Sequence, residues 1–205
     1  MKIWYYFFRM TILWYGEACF LLEAGGTRVL IEPASKESGL APPRLKSDIL
    51  IFSKSRDNDS EAFTINSPGE YEVKGVNISG ISDNENIIYR IEMDNIKVAH
   101  LGFLKKEPDN EKLELLGNPD IILVPVGGLG SELLNAESAM KLINKMEPKI
   151  AVPMLYNIKG LKIKRAPLSA FLKESEAKES PQSKLTIKKK DLTEEETKIV
   201  ILEHV

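Results

Sequence analysis

The segment Ile49–Ser60, ILIFSKSRDNDS, decides how the rest of the chain is read. It starts with Ile49, Leu50, Ile51 and Phe52, a short apolar run of the length a buried strand takes. The run ends abruptly in Ser53, Lys54, Ser55, Arg56, Asp57, Asn58 and Asp59. Loops held by a buried strand are a common place for catalytic or metal-binding groups. This loop carries hydroxyls, cations and carboxylates, but no histidine and no cysteine. Either it performs unusual chemistry, or its chemistry has been removed.

Working outward, the flanking sequence is rich in β signals. MTILWY (10–15), ACFLLEA (18–24) and RVLIEP (28–33) are short and apolar, and Glu23–Thr27 supplies a hairpin turn between the last two. After DILIFS (48–53) come EAFTI and YEVKGVNISGI, which reads as broken β structure. NIIYRIEMDNIKVAHLG then predicts a hairpin turning at Asp94-Asn95. The second half changes rhythm. EKLELLG predicts a short helix closed by Gly117, and DIILVPVGG and KIAVPML predict buried strands. NAESAMKLINKMEP gives the clearest helix, with Asn135 as N-cap, Ala136, Ala139, Met140, Ile143 and Met146 on one face, and Pro148 beyond its end. LSAFLKES predicts a further helix and TKIVILE a closing strand, while the mixed charges of 173–198 predict a solvated surface. Many strands followed by a β-α-β order predict layers of sheet enclosed by helices.

Bulk properties narrow the function classes. The 205 residues suffice for one domain with a substantial core, and 43% hydrophobic with 28% charged residues is an ordinary soluble composition. A net charge of −2 provides no global field for nucleic acid or an anionic membrane. The single cysteine, Cys19, lies in an apolar run and predicts a buried reduced thiol, in keeping with a cytoplasmic setting. No stretch approaches the roughly 20 apolar residues of a membrane span. The opening MKIWYYFFR lacks the pattern of a signal peptide, and its aromatic patch is too short for stable membrane anchoring. Residues 1–9 are therefore expected to be an N-terminal extension, with Met10 an alternative start, and 10–205 a single domain.

Taken in order, ILWYGEACFLLE, RVLIEP, DILIFSKSRDN, SPGEYEVKGVNISGI, IKVAHLGFL, DIILVPVGG and PKIAVPMLY resemble the metallo-β-lactamase superfamily. The resemblance runs from Met10 to about Tyr156 and is nearest the ascorbate-phosphate-lactonase-like branch of metal-dependent hydrolases. It implies an α/β fold, an αβ/βα sandwich of two central sheets flanked by helices, with metals held at one edge by loops that follow the strands. It also implies where ligands should fall. The family pattern H-x-H-x-D-H falls on Ser53, Ser55, Asp57 and Asn58, so only the aspartate matches. Phe103 stands at the bridging carboxylate of the HLGD motif, and Leu155 at the late histidine of PMHY. Glu17 takes a place often held by histidine or glutamine, and Glu32-Pro33 stands for the usual Asp-Pro.

Zinc sites use about four imidazole, thiolate or carboxylate donors. A serine hydroxyl is a poor replacement, Phe and Leu have no lone pair to offer, and Lys54 and Arg56 place cations in the same loop. The expected protein is a non-catalytic member of the superfamily: a binding or scaffold module with no cofactor. Its expected partner is an unidentified protein or small molecule, a second copy of the chain being one candidate. The alternative is a metal-dependent hydrolase with one divalent zinc or manganese on a rearranged carboxylate set, drawn from Asp57, Asp59, Glu70 and Glu17. A calcium loop on Asp57, Asp59 and Glu61 lacks the required glycine, Ala62 standing in its place. A nucleic-acid module has only Lys46, Lys54 and Arg56 in its favour, and none is expected to bind. His100 lies in an apolar alternation and predicts a hydrogen-bonded structural histidine, and Gly127-Gly128-Leu129-Gly130 predicts a tight turn rather than a phosphate loop.

Overall fold

The computed structural model describes residues 9–54, 60–178, 180–193 and 196–205, without the side chain at 36. The expected N-terminal extension, apart from Arg9, lies outside the described residues, as do Ser55, Arg56, Asp57, Asn58 and Asp59.

The described residues form the expected α/β sandwich, with thirteen strands among them in two sheets. The first sheet begins with β1 (Met10–Trp14), β2 (Phe20–Ala24) and β3 (Thr27–Ile31), which pair antiparallel, and continues in parallel through β4 (Ile49–Ile51) to β5 (Phe63–Ile65). In β1 the alternation of Met10, Ile12 and Trp14 with Thr11 and Leu13 places the first three in the core between the sheets. The other face of this sheet has its own apolar cluster: Cys19, Leu21, Leu30, Leu50 and Phe52. Cys19 is buried and reduced, as the sequence predicts.

The second sheet starts as an antiparallel meander of β6 (Gly69–Val73), β7 (Val76–Asp83), β8 (Asn86–Met93) and β9 (Ile96–His100). The predicted hairpin turns at Asp94-Asn95, both residues having positive φ as a tight two-residue turn requires. Beyond β9 the sheet turns parallel through β10 (Ile121–Pro125), β11 (Ile150–Met154) and β13 (Lys198–Ile199). β10 and β11 are buried along their whole length, which explains their unbroken apolar sequence.

Three α-helices occur among the described residues: α1 (Asn110–Leu116), α2 (Ala136–Met146) and α3 (Leu168–Ser175). The Asn135 side chain caps α2 by accepting from Ser138 N at 2.9 Å, and Ala139, Leu142 and Ile143 face the core. Gly117 closes α1 with φ +65. No helix among the described residues is long and apolar enough to cross a membrane.

The C-terminal third departs from the sequence reading in two places. The charged stretch 173–198 is not solvated throughout: it contains β12 (Leu185–Ile187), which pairs with β1 and buries Leu185 and Ile187. Two apolar residues one apart among lysines are too short a signal to stand out. The closing strand, expected over Thr197–Glu203, keeps only a two-residue ladder, β13. Ile150 N bonds to Asp120 O on the β10 side, whereas Ala151 O accepts from Val200 on the other side. Pro153 is in phase with Ala151, so the position that would continue the ladder toward β13 has no N–H.

Candidate functional site

The loops that leave β3, β4, β9 and β11 meet the β1–β2 turn at one edge of the sandwich. Three residues there, Glu17, Glu32 and Leu155, have left-handed backbones, with φ of +49, +45 and +59. Such conformations cost non-glycine residues roughly 1–3 kcal/mol and gather at sites where the surroundings enforce them. Here the Glu17 carbonyl accepts from Trp14 Nε1 at 2.9 Å and from Leu155 N at 3.3 Å, tying the β1–β2 turn to the end of β11. Gly127 makes that closeness possible, since a Cβ on it would lie 2.1 Å from the Leu155 carbonyl oxygen. Within the glycine run, Gly127 and Gly128 are thus sites of close backbone approach, whereas Gly130 faces open space.

Ser53 follows β4 and is fully buried. Its N–H donates to the Glu32 carboxylate and its carbonyl accepts from Ile87 N at 2.8 Å, but its hydroxyl oxygen has no hydrogen-bond partner among the described residues. It packs against Gly102, where a Cβ would come within 2.6 Å of Ser53 Oγ and 2.4 Å of Asn86 Oδ1. Asn86 clamps the next loop, donating to Leu101 O at 3.2 Å and accepting from Phe103 N at 2.9 Å. Leu155 is fully buried in the core, and Phe103 is half-buried with Lys54 Nζ 5.4 Å from its ring centroid.

Beside them lies a cavity of about 240 Å³, lined among others by Glu17, Glu32, Lys54, Phe103 and Arg165, while Ser53 and Leu155 are buried behind its wall. Its electrostatics are set by one ion pair. Arg165 reaches across from the loop before α3 and meets Glu17 with both arms, Nη2 to Oε2 at 2.8 Å and Nε to Oε1 at 3.2 Å. The two side chains are only 11% and 8% exposed. The forked geometry and shielding from water make this the strong form of a salt bridge.

His100 takes no part in the cavity chemistry. It is fully buried, Nδ1 accepts from Gly102 N at 3.2 Å, and Nε2–H donates to Ala18 O at 3.0 Å. Burial pushes its pKa down to about 4, against the opposing hydrogen bond to Ala18. With both nitrogens engaged it is the structural histidine the sequence predicts. Glu70 sits elsewhere, on β6, accepting from Ser79 Oγ at 2.7 Å in a separate cleft that it shares with Arg90. Glu17 and Glu70 are therefore not brought together, and Asp57 and Asp59 lie outside the described residues.

The donor set at the cavity does not fit a zinc-type ion. Glu17 is engaged by the guanidinium and Glu32 by Ser53 N–H, while Lys54 and Arg165 bring positive charge to the same space. Among the described residues, no group of three His, Cys, Asp or Glu side chains is placed to hold a metal. Sequence reasoning did not anticipate Arg165, the Glu32–Ser53 bond or the Asn86 clamp. Arg165 lies 148 residues from Glu17 within the run KIKRAP, and nothing local marks it as a cavity residue.

Residues 11–155 match the family model described as the beta-lactamase superfamily domain. A UPF0173 metal-dependent hydrolase of Thermoplasma acidophilum is 25% identical over 191 residues, covering 72% of this chain and 84% of the relative. A UPF0173 protein of Pyrococcus abyssi is 28% identical over 184 residues, covering 74% and 85%. Among solved structures, a candidate Zn-dependent hydrolase of the metallo-β-lactamase superfamily from Thermotoga maritima superposes with a TM-score of 0.81 at 30% identity, covering 95% of this chain and 99% of that one.

Proposed function

The chain belongs to the β-lactamase superfamily, and within it we propose a non-catalytic role: a fold of metal-dependent hydrolases used as a binding or scaffold module. One observation carries this reading. The cavity at the strand ends is neutralised from within, by the buried Glu17–Arg165 pair, and the side chains at the described family ligand places in or beside it are hydroxyl or hydrocarbon. Ser53 Oγ offers a single neutral oxygen, and Phe103 and Leu155 offer none. A fixed guanidinium beside the cavity raises the electrostatic cost of a divalent cation. It leaves intact a concave site with an aromatic wall, Phe103, and polar groups able to orient a ligand.

The second reading, a hydrolase with a rearranged carboxylate site, draws support from relatives described as metal-dependent hydrolases. It requires Glu17 to leave Arg165 and Glu70 to leave a different cleft, so of its four candidate carboxylates those two are unfavourably placed. Thermal melts separate the readings. A metal at 100 times its dissociation constant stabilises a fold by about 2.7 kcal/mol. The non-catalytic reading predicts superimposable melting curves with EDTA, with added zinc and with added manganese. A zinc- or manganese-dependent rise that EDTA reverses would favour the hydrolase.

A further inference from the structure

We infer that a second cleft, on the other side of the Lys54–Phe103 contact, binds a small organic anion with a flat apolar body, held by Lys54, Lys105 and Lys106. This gives the binding-module reading a ligand class and rests on it. The cleft encloses about 490 Å³, a volume typical of small-molecule sites, and Lys54 and Phe103 line both it and the Arg165 cavity. Its three ammonium groups come from separate stretches of chain: Lys54 follows β4, while Lys105 and Lys106 follow β9.

Their charge is poorly balanced locally. Among the described residues two carboxylates line the cleft, and of these Asp83 is 6% exposed and already faces Lys112 at 3.3 Å. The other, Glu85, is 85% exposed and stands 3.9 Å from Lys105, a separation and exposure at which a pair is weak. Lys54 rests against the Phe103 ring. Lys106 feels the carboxylate of Asp109, which is itself paired with Lys112, so an anion entering here would gain three cations at little cost in broken pairs. The Phe103 ring and the aliphatic stems of the lysines offer apolar surface to its body. Among the described residues no arginine lines the cleft, so recognition there is by point charges rather than by a planar fork, and phosphate and carboxylate head groups both suit it.

Calorimetric titration of the full chain with phenyl phosphate, benzoate, inorganic phosphate and benzyl alcohol tests the inference. The expected result is saturable one-to-one binding of at least one aryl anion, weakening as salt is added. The tighter of phenyl phosphate and benzoate names the acid group, and weaker binding of inorganic phosphate shows that the apolar body contributes. The K54Q/K105Q/K106Q variant, with its melting temperature checked against the parent, should bind at least about tenfold more weakly, a change of roughly 1.4 kcal/mol. Equal affinity in that variant, equal binding of benzyl alcohol, or no saturable binding of either aryl anion would overturn it. A zinc melt on the same preparation keeps the two claims apart. Metal stabilisation contradicts the non-catalytic reading, whereas failed titrations without a metal response contradict the anion site alone.

Discussion

Removing Arg165 is the sharpest perturbation of the cavity. Arg165→Leu leaves the Glu17 carboxylate 8% exposed, without the guanidinium that supplies two of its contacts, and close to the second carboxylate of Glu32. Breaking a buried pair from one side costs about 3–5 kcal/mol, because the remaining charge has lost its partner while staying out of water. For a domain of this size each kcal/mol moves the melting temperature by about 2–4 °C, so a fall of roughly 6–20 °C is expected. The converse change, Glu17→Gln, should cost less, since the longer arginine side chain can turn its head into the cavity and reach water. The double variant Glu17→Gln/Arg165→Leu should recover much of the loss, with a coupling of about 1–3 kcal/mol in urea unfolding. Strictly additive single effects, or a loss from Arg165→Leu below about 0.5 kcal/mol, would show that the pair is ordinary surface charge and that the cavity is not neutralised from within.

Phe103→Asp should destabilise by about 1–3 kcal/mol in chemical denaturation, because a half-buried ring is exchanged for a carboxylate beside the Asn86 clamp; unchanged stability would mean an open, wet pocket. Ser53→Ala should be neutral or stabilising by up to about 1 kcal/mol, since it deletes a buried hydroxyl without a partner, and a clear loss would expose a contact of Ser53 Oγ not accounted for. His100 has a folded pKa of about 4 against an ordinary 6.5, so its contribution is fully present above pH 6.5 and is lost as pH falls toward 4, amounting to about 3 kcal/mol. Urea melts across that window should show a drop that His100→Gln flattens, and parallel profiles for the two proteins would contradict a buried neutral ring. Gly127→Ala should destabilise severely, its Cβ being 2.1 Å from the Leu155 carbonyl oxygen, and a melt within a degree or two of the parent would argue against that close approach.

Much of the fold was legible because its signals are local. The two-residue turn at Asp94-Asn95, the Asn135 cap and the apolar stretches at 121–125 and 150–154 each state their structure within a few residues. β12 was hidden because only Leu185 and Ile187 carry it, and what buries them is pairing with Met10–Ile12 at the other end of the chain. The candidate site divides the same way. Ser53, Phe103 and Leu155 could be named because the short motifs around them resemble the family's ligand motifs. The partner of Glu17 could not, since Arg165 is brought to it by the crossover after β11 rather than by sequence spacing. The burial of Glu32 and its bond to Ser53 likewise follow from the parallel pairing of β3 with β4.

The central claim is that this strand-end cavity works without a metal ion. The most direct test is elemental analysis of protein expressed in metal-replete medium and purified without chelator. Among the described residues the family's ligand places hold Ser53, Phe103 and Leu155, and the cavity holds a guanidinium. Zinc, manganese and iron are therefore each expected far below one atom per chain. One firmly held atom of any of them per chain, surviving gel filtration, would contradict it and direct attention to Asp57, Asp59 and Glu70.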